Sequence, residues 1–335
     1  MGIGLKVPVK DAEEVKKKLL STGAFYKGRK VKYHKNFVIF PLKKKVYLGD
    51  EYQIVEEDFQ KIGRKSFREY LQEFLDSEEL KKVHRSFDII GDLAIIEVPD
   101  ELRIHEKRIA ESLAKAHKNI KGVFKKAGAV KGDLRTRELK HLWGQKSTVT
   151  LHREHGCLFR VDIAGVYFSP RLAYERQRIL QQVRDGEVIV DFFAGVGPFS
   201  ILLAKNRDVK VYAIDSNPRA YELLKENILL NKVADKVTAL LGDCRQVAPE
   251  EADRAIMNLP LHSHKYLDLA FDVVKDGVIH FYTVSPEEDL FTSKERLVME
   301  VAEEKNRKAT ILNRKVVRPY APRRYHIVLD VSVED

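Results

Sequence analysis

The chain has 335 residues, of which 44% are hydrophobic and 33% are charged. This length exceeds one average domain and predicts two or three, and the composition is typical of a protein with a sizeable core. No run of about 18 apolar residues occurs, which argues against a membrane-spanning helix, and the N-terminus lacks a secretory signal pattern. We therefore expect a cytoplasmic protein that does not associate with membranes.

Basic residues are concentrated near the N-terminus. The formal net charge is +10, and the first fifty residues hold 13 Lys and Arg against four Asp and Glu. A charge imbalance of this size predicts a polyanionic partner such as a nucleic acid.

Cysteine and histidine spacing gives no sign of a metal site. Cys157 and Cys244 lie far apart in the sequence, and no Cys-x-x-Cys occurs. Neither a disulfide framework nor a zinc site is therefore expected. His262 and His264 form a lone His-x-His, which we interpret as part of a surface loop.

Residues 1–62 are predicted to form a small basic α+β domain. Its helix begins after Asp11 and ends at Leu20, and Asp11 with Glu14 has the spacing of a capping box. Strands are predicted at 5–9, 31–40 and 52–55. The polar segment 60–65 contains a glycine and is the predicted linker.

Residues 66–165 are predicted to form a second α+β domain. A helix is predicted over 66–83, because aromatic and leucine residues recur there at helical spacing, and a charged amphipathic helix over 101–117. A strand-like segment covers 87–98 with a turn at Gly91, and a β-hairpin is predicted from the strands 149–153 and 158–162.

The region 166–335 alternates apolar strands with helices. The predicted strands are 188–190, 209–214, 237–241, 254–257 and 278–283. Such a βαβ series indicates a mostly parallel sheet with helices on both faces. Two further strands, at 309–317 and 325–331, end the chain as a hairpin. We therefore predict an α/β fold, a Rossmann-like class I methyltransferase domain whose mostly parallel seven-stranded sheet ends in an antiparallel hairpin.

A glycine loop follows the first strand of this sheet. Asp191 ends the strand, Phe193 lies inside the loop, and Gly195 and Gly197 permit sharp turning and close approach of a ligand. A dinucleotide could bind such a loop, but the third glycine of Gly-x-Gly-x-x-Gly is absent and Asp191 would repel a pyrophosphate. The same carboxylate suits the ammonium and sulfonium of S-adenosylmethionine, which we predict as the cofactor.

Two more aspartates follow the next strands. Asp215 is placed to accept hydrogen bonds from both ribose hydroxyls of the cofactor, and Asp243 from the adenine amino group. Either residue could instead cap the following helix. Three acidic strand ends beside one glycine loop favour the cofactor interpretation.

The fourth strand ends in Met257-Asn-Leu-Pro260. This segment resembles the Asn-Pro-Pro-Tyr signature of methyltransferases that act on nitrogen, although a plain Asn-x-Pro turn remains an alternative. Leu259 replaces the first proline of that signature and Leu261 replaces its aromatic residue. These departures argue against adenine N6 as the acceptor.

Five segments together resemble the archaeal and eukaryotic tRNA (guanine-N1)-methyltransferases that modify guanosine 37, next to the anticodon. They are 135–139, 168–176, 191–200, 257–260 and 320–323. The resemblance implies that the domain 1–62 grips tRNA, that 66–165 is a second RNA-binding domain, and that 166–335 is catalytic. It implies tRNA as the partner, and we expect a monomer without an obligate protein partner.

The resemblance also implies roles for acceptor-site residues. Guanine N1 carries a proton, so its methylation needs a base and a cation to stabilise charge on O6. By resemblance Glu175 is the base, Arg135 the O6 donor and Asn258 a second contact to guanine. Asn258 is also a predicted cofactor-binding residue. The implied substrate-binding residues are Tyr167, Arg176, Arg137 and Pro260. From helix spacing alone, Glu175 could equally pair with a neighbouring arginine, and Arg135 could be a phosphate contact.

Several alternatives remain open at this point. A related enzyme could transfer the aminocarboxypropyl group of the same cofactor to a tricyclic wybutosine precursor, or methylate that precursor as well as guanosine. An RNA-binding protein with a relict methyltransferase domain is an alternative of another class, and a nicotinamide dehydrogenase is disfavoured by the loop. Glu175 and the intact Gly195-Val-Gly197 favour methyl transfer to guanosine.

Overall fold

The structure, a computed structural model, describes residues 2–60, 65–84, 86–127 and 138–335. The chain divides into two compact units, Met1–Phe74 and Leu75–Asp335. The domain boundaries near residues 62–66 and 165–166 remain a prediction. Within the described ranges, no helix combines the length and hydrophobicity needed to cross a membrane.

The first unit is a four-stranded antiparallel sheet with short helices. Its elements are β1 (Gly2–Pro8), α1 (Ala12–Ser21), β2 (Lys32–Tyr33), β3 (Phe37–Pro41), β4 (Gln53–Glu57) and α2 (Phe67–Leu71). The strand order is β2-β3-β1-β4. Helix α1 buries Val15 and Leu19 in a core with Leu5 and Val7 of β1, which leaves the lysines of this unit on the outside.

The predicted capping box of α1 is wrong. Asp11 occupies the N-cap position, but its side chain makes no capping hydrogen bond among the described residues. Its backbone already has helical angles, φ −99° and ψ −3°, because a 3₁₀ turn over Val9–Asp11 leads into the helix. A side-chain cap needs the extended N-cap backbone that this turn removes.

The predicted helix over 66–83 is interrupted. It forms two short helices, α2 and α3 (Ser77–Lys82). Asp76 accepts hydrogen bonds from the backbone of Glu78 and Glu79, and Glu79 completes a capping box. These local hydrogen bonds compete with continuation of the first helix and start a second one.

The second unit begins with a small mixed sheet. After α3 its elements are β5 (Asp88–Ile90), β6 (Leu93–Ile96), α4 (Glu106–Ala116), β7 (Gly122–Lys126) and β8 (Leu139–Gly144), in the strand order β5-β6-β7-β8. The predicted turn at Gly91 is confirmed, with φ +57°. The predicted hairpin is also confirmed, and consists of β9 (Val149–Glu154) and β10 (Cys157–Asp162). His155 and Gly156 turn it with positive φ, as two-residue hairpins require.

A seven-stranded sheet forms the remainder of the second unit. Its elements are α5 (Ala173–Gln182), β11 (Val188–Asp191), α6 (Pro198–Asn206), β12 (Lys210–Asp215), α7 (Pro218–Asn231), β13 (Val237–Leu241), α8 (Cys244–Val247), β14 (Arg254–Met257), α9 (Leu267–Val273), β15 (Gly277–Pro286), α10 (Thr292–Glu304), β16 (Lys308–Ala321) and β17 (Arg324–Glu334). The order is β13-β12-β11-β14-β15-β17-β16. Among its described strands β17 alone runs against the others, because it pairs antiparallel with both β15 and β16. The predicted fold class is confirmed.

This strand order fixes where a ligand can bind. The chain runs from β11 outward to β12 and β13, then returns to place β14 on the other side of β11. At such a reversal the helices diverge, so a crevice opens at the carboxyl ends of the central strands. Alternate residues of β11 pack into the two cores on opposite faces, Ile189 into one and Val190 into the other, which makes the strand a rigid base for the loop that follows it.

Candidate active site

A cavity of about 390 Å³ lies at the carboxyl ends of β11, β12 and β14. This volume is in the range of small-molecule sites in proteins. Most of the residues predicted from the sequence line it: Tyr167, Arg176, Phe193, Gly195, Asp215, Asp243 and Asn258. Asp191, Gly197, Glu175 and Pro260 are described by the structure but do not line the cavity.

The glycine loop has the backbone that its sequence predicts. Gly195 and Gly197 have φ of +58° and +84°, which is the left-handed region that favours glycine. A Cβ on Gly197 would come 2.5 Å from the side chain of Leu224. Gly197 is also the N-cap of α6, and Pro198 follows at the first helical position. The absence of a side chain at Gly197 therefore allows the loop to pack closely against α7.

Asp191 is buried at the end of β11, with 1% of its surface exposed. One carboxylate oxygen accepts from Ser200 Oγ at 2.8 Å, while Oδ1 has no hydrogen-bond partner in the described part of the chain. Burial raises the pKa of Asp191 to about 7, and the charge of Asp215 adds to that rise. A carboxylate in this condition gains stability from a nearby cation.

Asp215 joins the glycine loop to the second strand. Its Oδ2 accepts from the backbone N–H of Gly195 at 2.7 Å, and its Oδ1 accepts from that of Asn217 at 2.8 Å. Burial raises the pKa of Asp215. Each carboxylate oxygen has a second lone pair, so the group can still accept from two hydroxyls at the cavity.

Asp243 caps the helix that follows it, which is one of the two roles considered from the sequence. Strand β13 ends at Leu241, as predicted. Asp243 accepts from the backbone N–H of Arg245 at 2.9 Å and caps α8, and it also lines the cavity.

Sequence reasoning missed one wall of the cavity. Tyr266, Lys265 and His262 all line it, and the ring of Tyr266 meets that of Phe193 edge-on at 5.2 Å. His262 is exposed, as the predicted surface loop requires, yet it faces the cavity. These residues follow β14 without a recognisable motif, so spacing alone could not have indicated them.

Asn258 follows β14 and faces the cavity. Its Oδ1 is buried and lacks a hydrogen-bond partner among the residues that the structure describes. Pro260 is buried behind it, where it shapes the turn. An unpaired amide oxygen in a cavity wall is an acceptor available to a ligand.

Tyr167 and Arg176 both line the cavity. The Tyr167 hydroxyl accepts from Arg318 Nη2 at 3.1 Å, a contact with β16 that no motif indicated. Arg176 makes a bidentate pair with Glu154, at 2.6 and 2.7 Å. Burial opposes ionisation of Glu154, but hydrogen bonds from His152 and Arg176 lower its pKa to about 2.

Glu175 lies on α5 and is 2% exposed. Its Oε1 accepts from Arg178 Nε at 2.6 Å and from the Tyr282 hydroxyl at 3.0 Å. Lys315 Nζ lies 3.3 Å from Oε2. The pairing with Arg178, considered from helix spacing, is therefore present. Arg135 and Arg137 lie outside the described residues.

Comparison with known proteins identifies the family. The model of the TRM5/TYW2 methyltransferase domain matches residues 150–311, that of the TYW2 N-terminal domain matches 67–148, and that of the tRNA methyltransferase 5 N-terminal domain matches 4–47. The chain is 42% identical to tRNA (guanine(37)-N(1))-methyltransferase Trm5b of Pyrococcus abyssi, over 99% of each chain. The chain belongs to the TRM5/TYW2 methyltransferase family.

Solved structures of TRM5/TYW2 proteins agree with the fold. The crystal structure of Pyrococcus abyssi Trm5b superposes with a TM-score of 0.80 and covers 100% of both chains. A complex of aTrm5 with tRNALeu has a TM-score of 0.74 at 39% identity, covering 98% of this chain and 99% of that one. Methanocaldococcus jannaschii TYW2 in complex with AdoMet has a TM-score of 0.60 at 32% identity, covering 74% and 99%.

The residues present fit S-adenosylmethionine. Asn258 and Asp215 offer acceptor oxygens at the cavity, and the buried carboxylate of Asp191 lies at the start of the glycine loop. Acceptors and negative charge suit a ligand with an ammonium, a sulfonium and ribose hydroxyls. The cavity wall of Phe193 and Tyr266 offers apolar surface to an adenine ring. The residues around the cavity therefore support S-adenosylmethionine as the cofactor.

Proposed function

We propose that this chain is an enzyme that transfers a methyl group from S-adenosylmethionine to N1 of guanosine 37 in tRNA. The observation that carries the proposal is a donor-sized cavity at the strand reversal, with the buried carboxylate of Glu175 on the same helix as the cavity-lining Arg176. Full-length similarity to a protein named for this reaction supports the choice of acceptor.

The residues of the donor half bind and orient the cofactor. S-adenosylmethionine, when bound, supplies an electrophilic methyl group. Asp215 holds its ribose, and Asp191 places negative charge beneath the glycine loop. Neither carboxylate takes part in proton transfer, because both remain engaged with the backbone or with Ser200.

The acceptor half removes a proton. The N1–H of guanine must lose its proton before the nitrogen lone pair can form a bond, and Glu175 is the proposed base. As the proton leaves, negative charge grows on O6, and a cation is needed there. Arg135, outside the described residues, is proposed for that role, with Asn258 as a second contact to the base. Tyr167 and Arg176 are proposed to contact the target nucleotide from the cavity wall.

The tRNA must present guanosine 37 outside its stack. A base in the anticodon loop reaches a cavity of this kind only if it is extruded. The three matched family models support a division of labour among residues 1–62, 66–165 and 166–335, in which the first two segments hold tRNA. Because the first fifty residues are strongly basic, their contribution to binding should weaken steeply with salt.

One experiment tests the activity and its alternatives together. The protein is incubated with labelled S-adenosylmethionine and unmodified tRNA transcripts carrying G or A at position 37, and nucleosides are analysed by mass spectrometry. We expect 1-methylguanosine only from the G37 transcript. An aminocarboxypropyl adduct on a tricyclic substrate would support the alternative transferase, whereas no product and no donor binding by calorimetry would support a relict RNA-binding protein.

A further inference from the structure

The two carboxylate oxygens of Glu175 have different surroundings. Oε1 accepts two hydrogen bonds, from Tyr282 and from Arg178. Oε2 accepts none from the residues described, and its closest cation is Lys315 Nζ at 3.3 Å. A base that must take a proton from a bound ligand needs one free oxygen held in a fixed direction. This arrangement fixes one oxygen by two hydrogen bonds, while the other, buried near Lys315, accepts no hydrogen bond from the described residues.

Tyr282 is well suited to hold Oε1. It lies on β15, is fully buried and donates its hydroxyl proton to a carboxylate that can only accept. Burial, with the nearby charge of Glu175, raises the pKa of Tyr282 well above its usual value, so the hydroxyl remains a donor. Its ring also packs against Phe199 at 6.1 Å, and Phe199 lines the donor cavity.

Arg178 is itself held from the terminal hairpin. Its Nη1 and Nη2 donate to the two carboxylate oxygens of Asp330 on β17, the second bond at 3.0 Å. Asp330 is 1% exposed and also accepts from Asn313 at 3.1 Å and from Gln182 at 3.3 Å. Hydrogen bonds from His280 and Arg178 outweigh burial and hold the pKa of Asp330 far below its usual range.

The hydrogen bonds of His280 fix its protonation. Nε2 lies 2.8 Å from Arg254 Nη1 and must accept, because arginine only donates. Nδ1 lies 2.7 Å from Asp330 and therefore donates. His280 is thus neutral, in agreement with the lowering of its pKa by burial. Arg254 in turn pairs with Glu187 at 2.7 and 2.9 Å, so the network leading to Glu175 is anchored across the sheet.

We propose that Tyr282 is a positioning residue for the reaction, which with Arg178 fixes Oε1 of Glu175 so that Oε2 receives the guanine proton. The N1–H bond breaks, the O–H bond forms on Oε2, and the electron pair stays on N1. That pair forms the bond to the methyl carbon as the bond between this carbon and the donor sulfur breaks, and the sulfur leaves with the electron pair as the neutral thioether S-adenosylhomocysteine. The inference rests on the proposed function of Glu175 as the base.

The groups that face Glu175 predict opposite effects of two substitutions. Arg178 contacts Glu175 from the same helix, Tyr282 from β15 and Lys315 from β16. Asp330 on β17 does not contact Glu175 but pairs with Arg178. Loss of the Tyr282 hydroxyl removes a hydrogen bond that favours the ionised carboxylate, whereas loss of the Asp330 charge removes a nearby repulsion. The pH dependence of the rate therefore distinguishes this arrangement from a general structural role.

The experiment measures single-turnover methyl transfer to the G37 transcript at saturating donor between about pH 5 and 9. For Tyr282→Phe we expect a rate about tenfold lower on the plateau and an acid limb displaced to higher pH, with donor affinity within about twofold of wild type. For Asp330→Asn we expect the acid limb displaced to lower pH. Tyr212→Phe, a partly buried tyrosine on β12 of the same sheet, is the matched control and should leave rate and profile unchanged.

Glu175→Gln and the double variant with Tyr282→Phe distinguish the proposed base role of Glu175 from the proposed positioning role of Tyr282. If Tyr282 acts through Glu175, its substitution has no further effect in the Glu175→Gln background. A slow Glu175→Gln variant beside a Tyr282→Phe variant with wild-type rate and profile would overturn the positioning role alone. A Glu175→Gln variant with wild-type rate would overturn the base assignment and the positioning role with it. Thermal unfolding of each variant verifies folding, and if Tyr282→Phe does not fold, the Asp330→Asn profile decides.

Discussion

The buried polar groups of the proposed donor half, around the glycine loop, differ from those of the proposed acceptor half, around Glu175. At the donor half, Asp191 and Asn258 each keep one oxygen without a partner in the described structure. At the acceptor half, Glu175, Arg178 and Asp330 form a continuous buried network of ion pairs. Unpaired acceptors are destabilising unless a ligand satisfies them, whereas paired charges hold side chains in one geometry.

This difference is consistent with cofactor binding in the donor half and proton transfer in the acceptor half. In the proposed mechanism, the cofactor completes the hydrogen bonds that the donor half leaves open. The acceptor half pairs Oε1 of Glu175 within the protein and leaves only Oε2 of that carboxylate without a hydrogen bond among the described residues, because the oxygen that receives a proton must be positioned before the substrate arrives. Substitutions in the first half should therefore change binding, and those in the second should change rate or stability.

The largest effect is expected for Glu175→Gln. Loss of a general base lowers single-turnover methyl transfer by roughly 10²- to 10⁴-fold, while calorimetry should show donor affinity within about twofold of wild type. Glu226→Gln, on the exposed side of α7, is the control. If Glu175→Gln lowered donor affinity as much as it lowered the rate, the acceptor half would not be distinct from the donor half in its effect.

Arg178→Met should cause the largest loss of stability. It leaves the carboxylates of Glu175 and Asp330 buried with one fewer counter-charge, and breaking such a pair costs about 3–5 kcal/mol. Urea unfolding measures this change. Arg171→Met, which breaks the exposed pair with Asp88, should change the free energy of unfolding by less than about 1 kcal/mol. Equal effects of the two substitutions would show that the network does not stabilise the fold.

Asp215→Asn should weaken donor binding with little effect on stability. A charged hydrogen bond contributes about 1.5–3 kcal/mol, so the Kd for S-adenosylmethionine should rise roughly 10- to 100-fold. Asp208→Asn, at an exposed carboxylate paired with Lys236, should leave the Kd unchanged. An unaltered Kd in Asp215→Asn would show that this residue only holds the glycine loop.

The pH dependence of donor binding should report on Asp191. Its pKa of about 7 means that ionisation between about pH 6 and 8 adds negative charge beneath a cationic ligand. Affinity should rise about tenfold over this interval, and Asp191→Asn should abolish the rise. A pH-independent Kd in the wild-type protein would contradict a cation contact.

The same group makes a prediction about folding. The pKa of Asp191 is raised from 3.8 to about 7, so the folded protein binds a proton that the unfolded chain releases. Its contribution to stability is therefore present below about pH 4 and is lost as pH rises towards 7. Asp191→Asn should gain stability relative to wild type over this interval, as measured by thermal unfolding.

Local patterns were sufficient for the strands and for the donor loop. Apolar runs followed by Asp191 and Asp215 indicated parallel strands with acidic ends, and Gly195 and Gly197 indicated the turn between them. Each of these signals lies within a few residues, where steric and hydrogen-bonding rules act directly on the backbone. The capping box at Asp11 and the single helix over 66–83 were wrong because neighbouring turns supplied competing backbone geometry.

The sequence by itself thus determined the strands, the terminal hairpin and the donor loop, since these depend on periodicity and on short motifs. The family resemblance named Glu175, but only the tertiary structure decided what surrounds it. Tyr282 lies 107 residues from Glu175 in the chain, and Asp330 lies 152 residues from Arg178. They meet because β17 pairs between β15 and β16, an arrangement set by the packing of distant strands rather than by any local pattern.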